Sequence, residues 1–355
     1  MTRASAARRL ATTAVYGGGG LGVLGGALYG VMRAQAAWAR RVIGPADTRP
    51  PPPEDVYGAW LPGEPVSMLV LGDSAAVGYG MESAEDTPPG LLGAGLSTIA
   101  GRPVVVTSVA RVGAQSSALD AQIDEGLRAS PRVAVIIVGA NDVTHTVRPS
   151  ESVRMLDNAV RRLRTTGCEV VVGTCPDLGT IKPVPHPLRL VAREWSRRLA
   201  AAQTITVVEA GGRSVSLATL LGPSFEAAPG ELFGPDRFHP SAAGYASMVA
   251  ALLPSVAAAA GVWDDDEQPE MLPGDSGDTV LPVSFAAAEA VRLPGTEVTP
   301  VAVAGHDRGP RGRWAQIRHR VRRPGTVPGV AVDGAPAPVG SDDTSAPDPA
   351  APLIG

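Results

Sequence analysis

Four short strings hold the residues of this sequence that could do chemistry, and three of them directly follow an apolar run. The first is Gly72-Asp73-Ser74, after Val66–Leu71. A serine at the end of a buried strand and the start of a helix faces ligand and sees the partial positive charge of the helix end. The same position also suits a plain helix cap. The second is Asp236-Arg237-Phe238-His239, with a carboxylate three residues before an imidazole. Within one turn the two can hydrogen-bond, which fixes the ring tautomer and stabilises an imidazolium, so that His239 could deprotonate the Ser74 hydroxyl. The third is Val138-Gly139-Ala140-Asn141-Asp142. An asparagine amide there can donate to a developing oxyanion, although Asn-Asp after a strand is also an ordinary turn. The fourth is Gly113, in Ala110-Arg111-Val112-Gly113-Ala114. Its backbone N–H could be a further donor, because glycine lets the main chain approach a ligand closely, although a glycine after a strand means little by itself. Asp73 and Asp142 fit turn stabilisation better than chemistry.

The elements that must position these groups alternate. Strand candidates are Val66–Leu71, Val104–Val109, Val133–Val138, Val170–Gly173 and Thr204–Val208. They are short, rich in valine and isoleucine, and barely alternate in polarity, which suits a parallel sheet buried on both faces. Helical stretches are expected near 89–100, 115–129, 150–166, 187–202 and 240–259. The pattern predicts an α/β sandwich of about 200 residues over 66–262. The four strings fall at the C-terminal ends of strands or just before the last helix, where open α/β sheets bind ligands.

Taken in order, Gly-Asp-Ser, then Gly, then Gly-x-Asn-Asp, then Asp-x-x-His resembles the SGNH (GDSL-type) hydrolase superfamily over 66–262. The four residues that name that family correspond to Ser74, Gly113, Asn141 and His239. The resemblance implies a flavodoxin-like three-layer α/β/α sandwich on a five-stranded parallel sheet. It also implies ester hydrolysis through an acyl-serine intermediate with no cofactor and no metal. Ser74, Asp236 and His239 would be catalytic. Ser74, Gly113 and Asn141 would form the oxyanion hole, with Gly72, Asp73, Gly139 and Asp142 as supporting motif positions. Ala75 stands where the family often has leucine, a variant that fits esterase-type members. The same residues would serve an acyltransferase or a deacetylase of an envelope glycan or lipid, and a vestigial membrane-tethered scaffold is the remote alternative.

The flanks differ from the centre. Residues 1–9 are basic, with Arg3, Arg8 and Arg9, and Leu10–Met32 has no formal charge. At 1.5 Å per residue that run is about 34 Å long, enough for a bilayer core of roughly 30 Å. It reads as a single-pass anchor, or as a signal peptide cleaved at Ala34-Gln35-Ala36. Gly18, Gly22, Gly26 and Gly30 recur every four residues and would allow helix–helix approach in a homodimer, or reflect small-residue composition alone. Residues 33–65 contain Pro50–Pro53 and read as a proline-rich linker. Residues 263–355 read as a low-complexity, largely disordered tail. Its arginines between Arg308 and Arg323 suit an anionic membrane surface or a solvated charge run.

A net charge of −4, and a tail with more acidic than basic residues, exclude a general nucleic-acid-binding role. Two cysteines, Cys168 and Cys175, exclude a disulfide framework, and seven extended residues keep them roughly 23 Å apart. Five scattered histidines give no metal-ligand spacing. Gly274-Asp275-Ser276 repeats the serine string without a strand before it. Loops at 75–90, 142–150, 175–188 and 222–238 should border the site. Their small and moderately apolar residues point to an uncharged small or acyl ester.

Overall fold

The computed structural model describes residues 26–44, 50–53, 55–262, 297–303 and 306–311. In chain order, helix α1 (26–43) is followed by β1 (Val56–Tyr57), β2 (Val66–Gly72), α2 (Ser74–Val77), α3 (Pro88–Ala100) and β3 (Val104–Ser108). Next come α4 (Leu119–Gly126), β4 (Val133–Ile137), α5 (Ala140–Thr144), α6 (Pro149–Thr165), β5 (Glu169–Gly173) and α7 (Leu188–Glu209). The last are β6 (Arg213–Val215), α8 (Leu217–Ala227), α9 (Pro229–Leu232), α10 (Ala242–Ala259), β7 (Glu297–Val303) and β8 (His306–Arg311).

Strands β3, β2, β4, β5 and β6 lie side by side and parallel, in that order. Their valine-rich runs are buried on both faces, as parallel strands require. Met68 and Val70 of β2 face Leu92 and Leu96 of α3 and Leu252 and Val256 of α10. The alternate residues Leu69 and Leu71 face Ile123 of α4, Leu156 and Leu163 of α6, and Val207 of α7. This gives the expected three layers. The chain leaves β2 for β3 on one side and then crosses to β4 on the other. The C-terminal end of β2 is therefore the reversal point at which such sheets form a crevice.

Four sequence expectations need correction. The sheet is mixed, not purely parallel: β1 adds antiparallel to β3, and β7 adds antiparallel to β6 with β8 beside it. Thr204–Val208 is the last part of α7, and the fifth parallel strand is Arg213–Val215. Leu199, Ala200, Gln203, Thr204, Val207 and Val208 are buried at helical spacing, so the β-branched composition outweighed the period in the sequence reading. Residues 33–43 are not linker but helix. Gln35 of α1 donates to the His186 carbonyl at 2.5 Å and accepts from the Leu188 N–H at 3.1 Å, and Ala39 is buried. Residues 297–303 and 306–311 of the tail are paired strands.

Residues 10–25, with Gly18 and Gly22, and most of the tail lie outside the described residues. Gly26 and Gly30 lie on α1 with open space around them. Among the described residues, one helix is long and apolar enough to cross a membrane, Ala242–Ala259, and half of it is buried. Its Tyr245, Leu252 and Val256 pack in the core, which accounts for that composition.

Candidate active site

Ser74 opens the four-residue helix α2 directly after β2 and is 8% exposed. The turn that places it depends on Gly72, whose φ is +132° and where a Cβ would sit 1.9 Å from the Ile137 carbonyl oxygen of the neighbouring strand. Only glycine fits both the conformation and the space. Asp73 caps the helix by accepting from the Ala75 N–H at 2.9 Å, and its own N–H donates to the Ile137 carbonyl. Asp73 is thus a buried turn residue. Burial pushes its carboxyl up to about 7, with the Asp142 charge adding to the effect.

The second string forms a tight turn before α10. His239 Nδ1 is 2.6 Å from Asp236 Oδ2, and His239 Nε2 is 3.0 Å from Ser74 Oγ. A carboxylate only accepts, so Nδ1 carries the proton and Nε2 is left to accept from the serine hydroxyl. Asp236 Oδ1 takes the N–H groups of Phe238 at 2.9 Å and His239 at 3.0 Å. Burial opposes its charge, but these three hydrogen bonds outweigh it and hold the carboxyl below its usual range. The His239 ring is held between Tyr79, with centroids 4.4 Å apart, and Phe238, edge-on at 4.9 Å.

Gly113 follows β3 and Asn141 follows β4, the two neighbours of β2, so they flank the Ser74 turn. Asn141 Nδ2 donates to the Ala114 carbonyl at 3.0 Å, which ties α5 to the Gly113 loop and leaves its second N–H. Among the described residues, the backbone N–H groups of Ser74 and Gly113 have no hydrogen-bond partner. Gly113 has a φ of +79°. Gly139, at +138°, starts α5 against Cys175. Asp142 is buried and accepts from both the N–H and the hydroxyl of Ser116, so it pins the loop after β3 to α5. Burial raises its carboxyl against those hydrogen bonds.

The sequence reading missed the buried amides that hold this frame. Gln122 of α4 makes two hydrogen bonds to Gly72, from the Gly72 N–H at 2.8 Å and to its carbonyl at 3.0 Å. Gln203 of α7 bridges the Val138 carbonyl and the Cys175 N–H, joining the ends of β4 and β5. Tyr245 of α10 donates to the Tyr79 carbonyl at 2.9 Å and so steadies the residue whose ring lies tilted against His239. A polar residue on the buried stripe of a helix was the signal available for Gln122 and Gln203.

A narrow cleft of about 80 Å³ opens beside Ser74 and His239. Its walls include Leu178, Ile181, Leu217, Leu221, Phe225 and Phe238. The loops at 175–188 and 222–238 border it as expected, whereas 142–150 does not. His145 is exposed and bonded to the Asn141 carbonyl. His186 lies in the loop that meets α1. Cys168 and Cys175 are buried free thiols, and burial raises Cys168 to about 12 and Cys175 well above its usual range.

Comparison with known proteins gives the family. The model of the GDSL-like lipase/acylhydrolase family matches residues 70–247, which include all four strings. The GDSL-like esterase Rv1075c of Mycobacterium tuberculosis is 41% identical over 252 residues, covering 67% of this chain and 80% of its own length. Among solved structures, the acetylxylan esterase Axe2 of Geobacillus stearothermophilus is 18% identical, covers 54% of this chain and 94% of its own, and superposes with a TM-score of 0.43. The chain belongs to the GDSL-like lipase/acylhydrolase family and is an ester-hydrolysing enzyme.

Proposed function

We propose that Ser74 is the nucleophile of a carboxylic-ester hydrolase that works through an acyl-serine intermediate. The observation that carries this reading is the unbroken hydrogen-bonded chain from Ser74 Oγ through His239 to Asp236. His239 Nε2 takes the hydroxyl proton as Oγ bonds to the ester carbon. Asp236 holds the ring in the required tautomer and stabilises the imidazolium. The carbonyl oxygen becomes an oxyanion between the N–H groups of Ser74 and Gly113 and the second N–H of Asn141. The imidazolium then protonates the leaving alcohol, and water, deprotonated by His239, releases the acid. The apolar cleft beside Ser74 suits the acyl group.

The test is labelling of the full chain with a fluorophosphonate, which traps an activated serine. The parent is expected to be labelled, and Ser74→Ala and His239→Ala are not. Equal labelling of Ser74→Ala would remove Ser74 from the mechanism.

The uncharged run Leu10–Met32 serves in this reading as a single-pass membrane anchor. Its length supports this, as do Leu28, Tyr29 and Val31, which are exposed where α1 leaves the folded domain. The enzyme should remain in the membrane fraction after a carbonate wash. A mature chain that begins beyond Ala36 would instead establish a cleaved signal peptide and a domain without its anchor.

A further inference from the structure

A second, wider cavity of about 560 Å³ is lined in part by the segment that carries the Asp236–His239 turn. Its lining includes Lys182, Phe233, Gly234, Pro235 and Arg237. Phe233 also lines the cleft beside Ser74, so the two spaces are neighbours. Its size falls in the range of small-molecule sites, roughly 300–1,000 Å³. An acyl-transfer centre needs room for two halves of an ester, and the cleft beside Ser74 is narrow.

We infer that this cavity receives the alcohol half of the ester, and that Arg237 selects alcohols bearing a carboxylate or a phosphate. This rests on the ester-hydrolase reading above. Arg237 has a φ of +55°, a left-handed conformation that glycine adopts with less strain. The turn demands it, since the Gly234 N–H donates to the His239 carbonyl at 2.8 Å and the Arg237 N–H donates to the Gly234 carbonyl at 2.9 Å. Arg237 is exposed, lines the cavity, and its guanidinium has no hydrogen bond or ion pair among the described residues. Lys182 adds positive charge there, partly engaged by Glu226 at 3.9 Å, and Glu231 is the opposing carboxylate on the rim. The balance favours an anion, and the planar guanidinium matches carboxylate and phosphate in a paired geometry.

The experiment compares the full chain with Arg237→Gly on three acetates: phenyl acetate, 4-acetoxybenzoate and 4-acetoxyphenyl phosphate. Glycine relieves the backbone at this position, so the variant keeps the turn. Differences in intrinsic leaving-group reactivity cancel when the ratio of kcat/KM between anionic and neutral esters is compared across the two proteins. That ratio should fall about tenfold in Arg237→Gly, as expected for one charge-assisted contact. Arg237→Lys should fall less, and added salt should weaken the preference of the parent. The benzoate and phosphate arms show which anion is preferred. An unchanged ratio, with both ester types affected in proportion or not at all, overturns the inference. Failure of the nucleophile assignment registers separately, as turnover surviving in Ser74→Ala, and leaves the Arg237 ratio measurable.

Discussion

Asp236 binds His239 twice: Oδ2 meets the ring Nδ1 at 2.6 Å, and Oδ1 accepts the backbone N–H of the same residue at 3.0 Å. One carboxylate therefore fixes both where the histidine stands and which nitrogen carries its proton. Asp236→Asn separates these roles. Its amide oxygen can keep the backbone contacts, while its NH2 would face Nδ1 and favour the wrong tautomer. The expected result is a folded protein with kcat reduced by about 10³–10⁴. A variant with parental turnover would show that tautomer control by Asp236 is not used.

Gln122 offers a test of the frame beneath the nucleophile. Replacing it with leucine keeps the volume but leaves the buried Gly72 N–H without its 2.8 Å partner. The Gly72 carbonyl keeps the Arg111 N–H. One orphaned buried donor costs about 1–3 kcal/mol. Gln122→Leu should therefore unfold at lower denaturant concentration by that amount. It should also lose kcat, because Gly72 sets the direction of Ser74. Unchanged stability would mean that water replaces the amide.

Three of the four strings were legible as short sequences at a strand end, and the fourth, Asp236–His239, as a carboxylate and an imidazole within one turn before the last helix. Val66–Leu71 and Val133–Val138 read correctly as strands, since runs buried on both faces are apolar throughout. The fifth strand did not. Arg213–Val215 is three residues long and begins with arginine, while the adjacent Thr204–Val208 is richer in β-branched residues and lies in a helix. Tertiary burial on α7 overrode local propensity. The supporting glutamines were hidden for a different reason. Gln122 and Gly72 are 50 residues apart, and a single sequence contains nothing that pairs them.

Asp73 makes a prediction about pH. Its carboxyl is raised from 3.8 to about 7 by burial. Between those values the folded chain holds a proton that the unfolded chain has released, so stability contributed by this group falls as pH rises from about 4 to 7 and is level above that. The shift corresponds to an effect on the order of a few kcal/mol at most. Asp73→Asn can still accept from the Ala75 N–H and carries no charge to desolvate. Its denaturation midpoint should lose that decline and exceed the parent's at pH 8. A parental pH profile in Asp73→Asn would assign the decline to other groups.

Asn141 and Gly113 separate a side-chain donor from a backbone donor. Asn141→Asp replaces Nδ2 with an oxygen that faces the Ala114 carbonyl and, in the reaction, the developing oxyanion. Loss of one such donor typically costs about 10²–10³ in kcat with little change in KM, because the contact strengthens only in the transition state. Gly113→Ala keeps its donor, since the N–H is unaltered, and the added Cβ meets nothing within 4 Å. Only the left-handed backbone is strained, at a cost of about 1 kcal/mol. Its kcat should stay within about tenfold of the parent, a smaller change than that of Asn141→Asp. If Gly113→Ala were the more damaged of the two, the Gly113 loop would have to hold substrate through its shape, and Asn141 would serve only to tie α5 to Ala114.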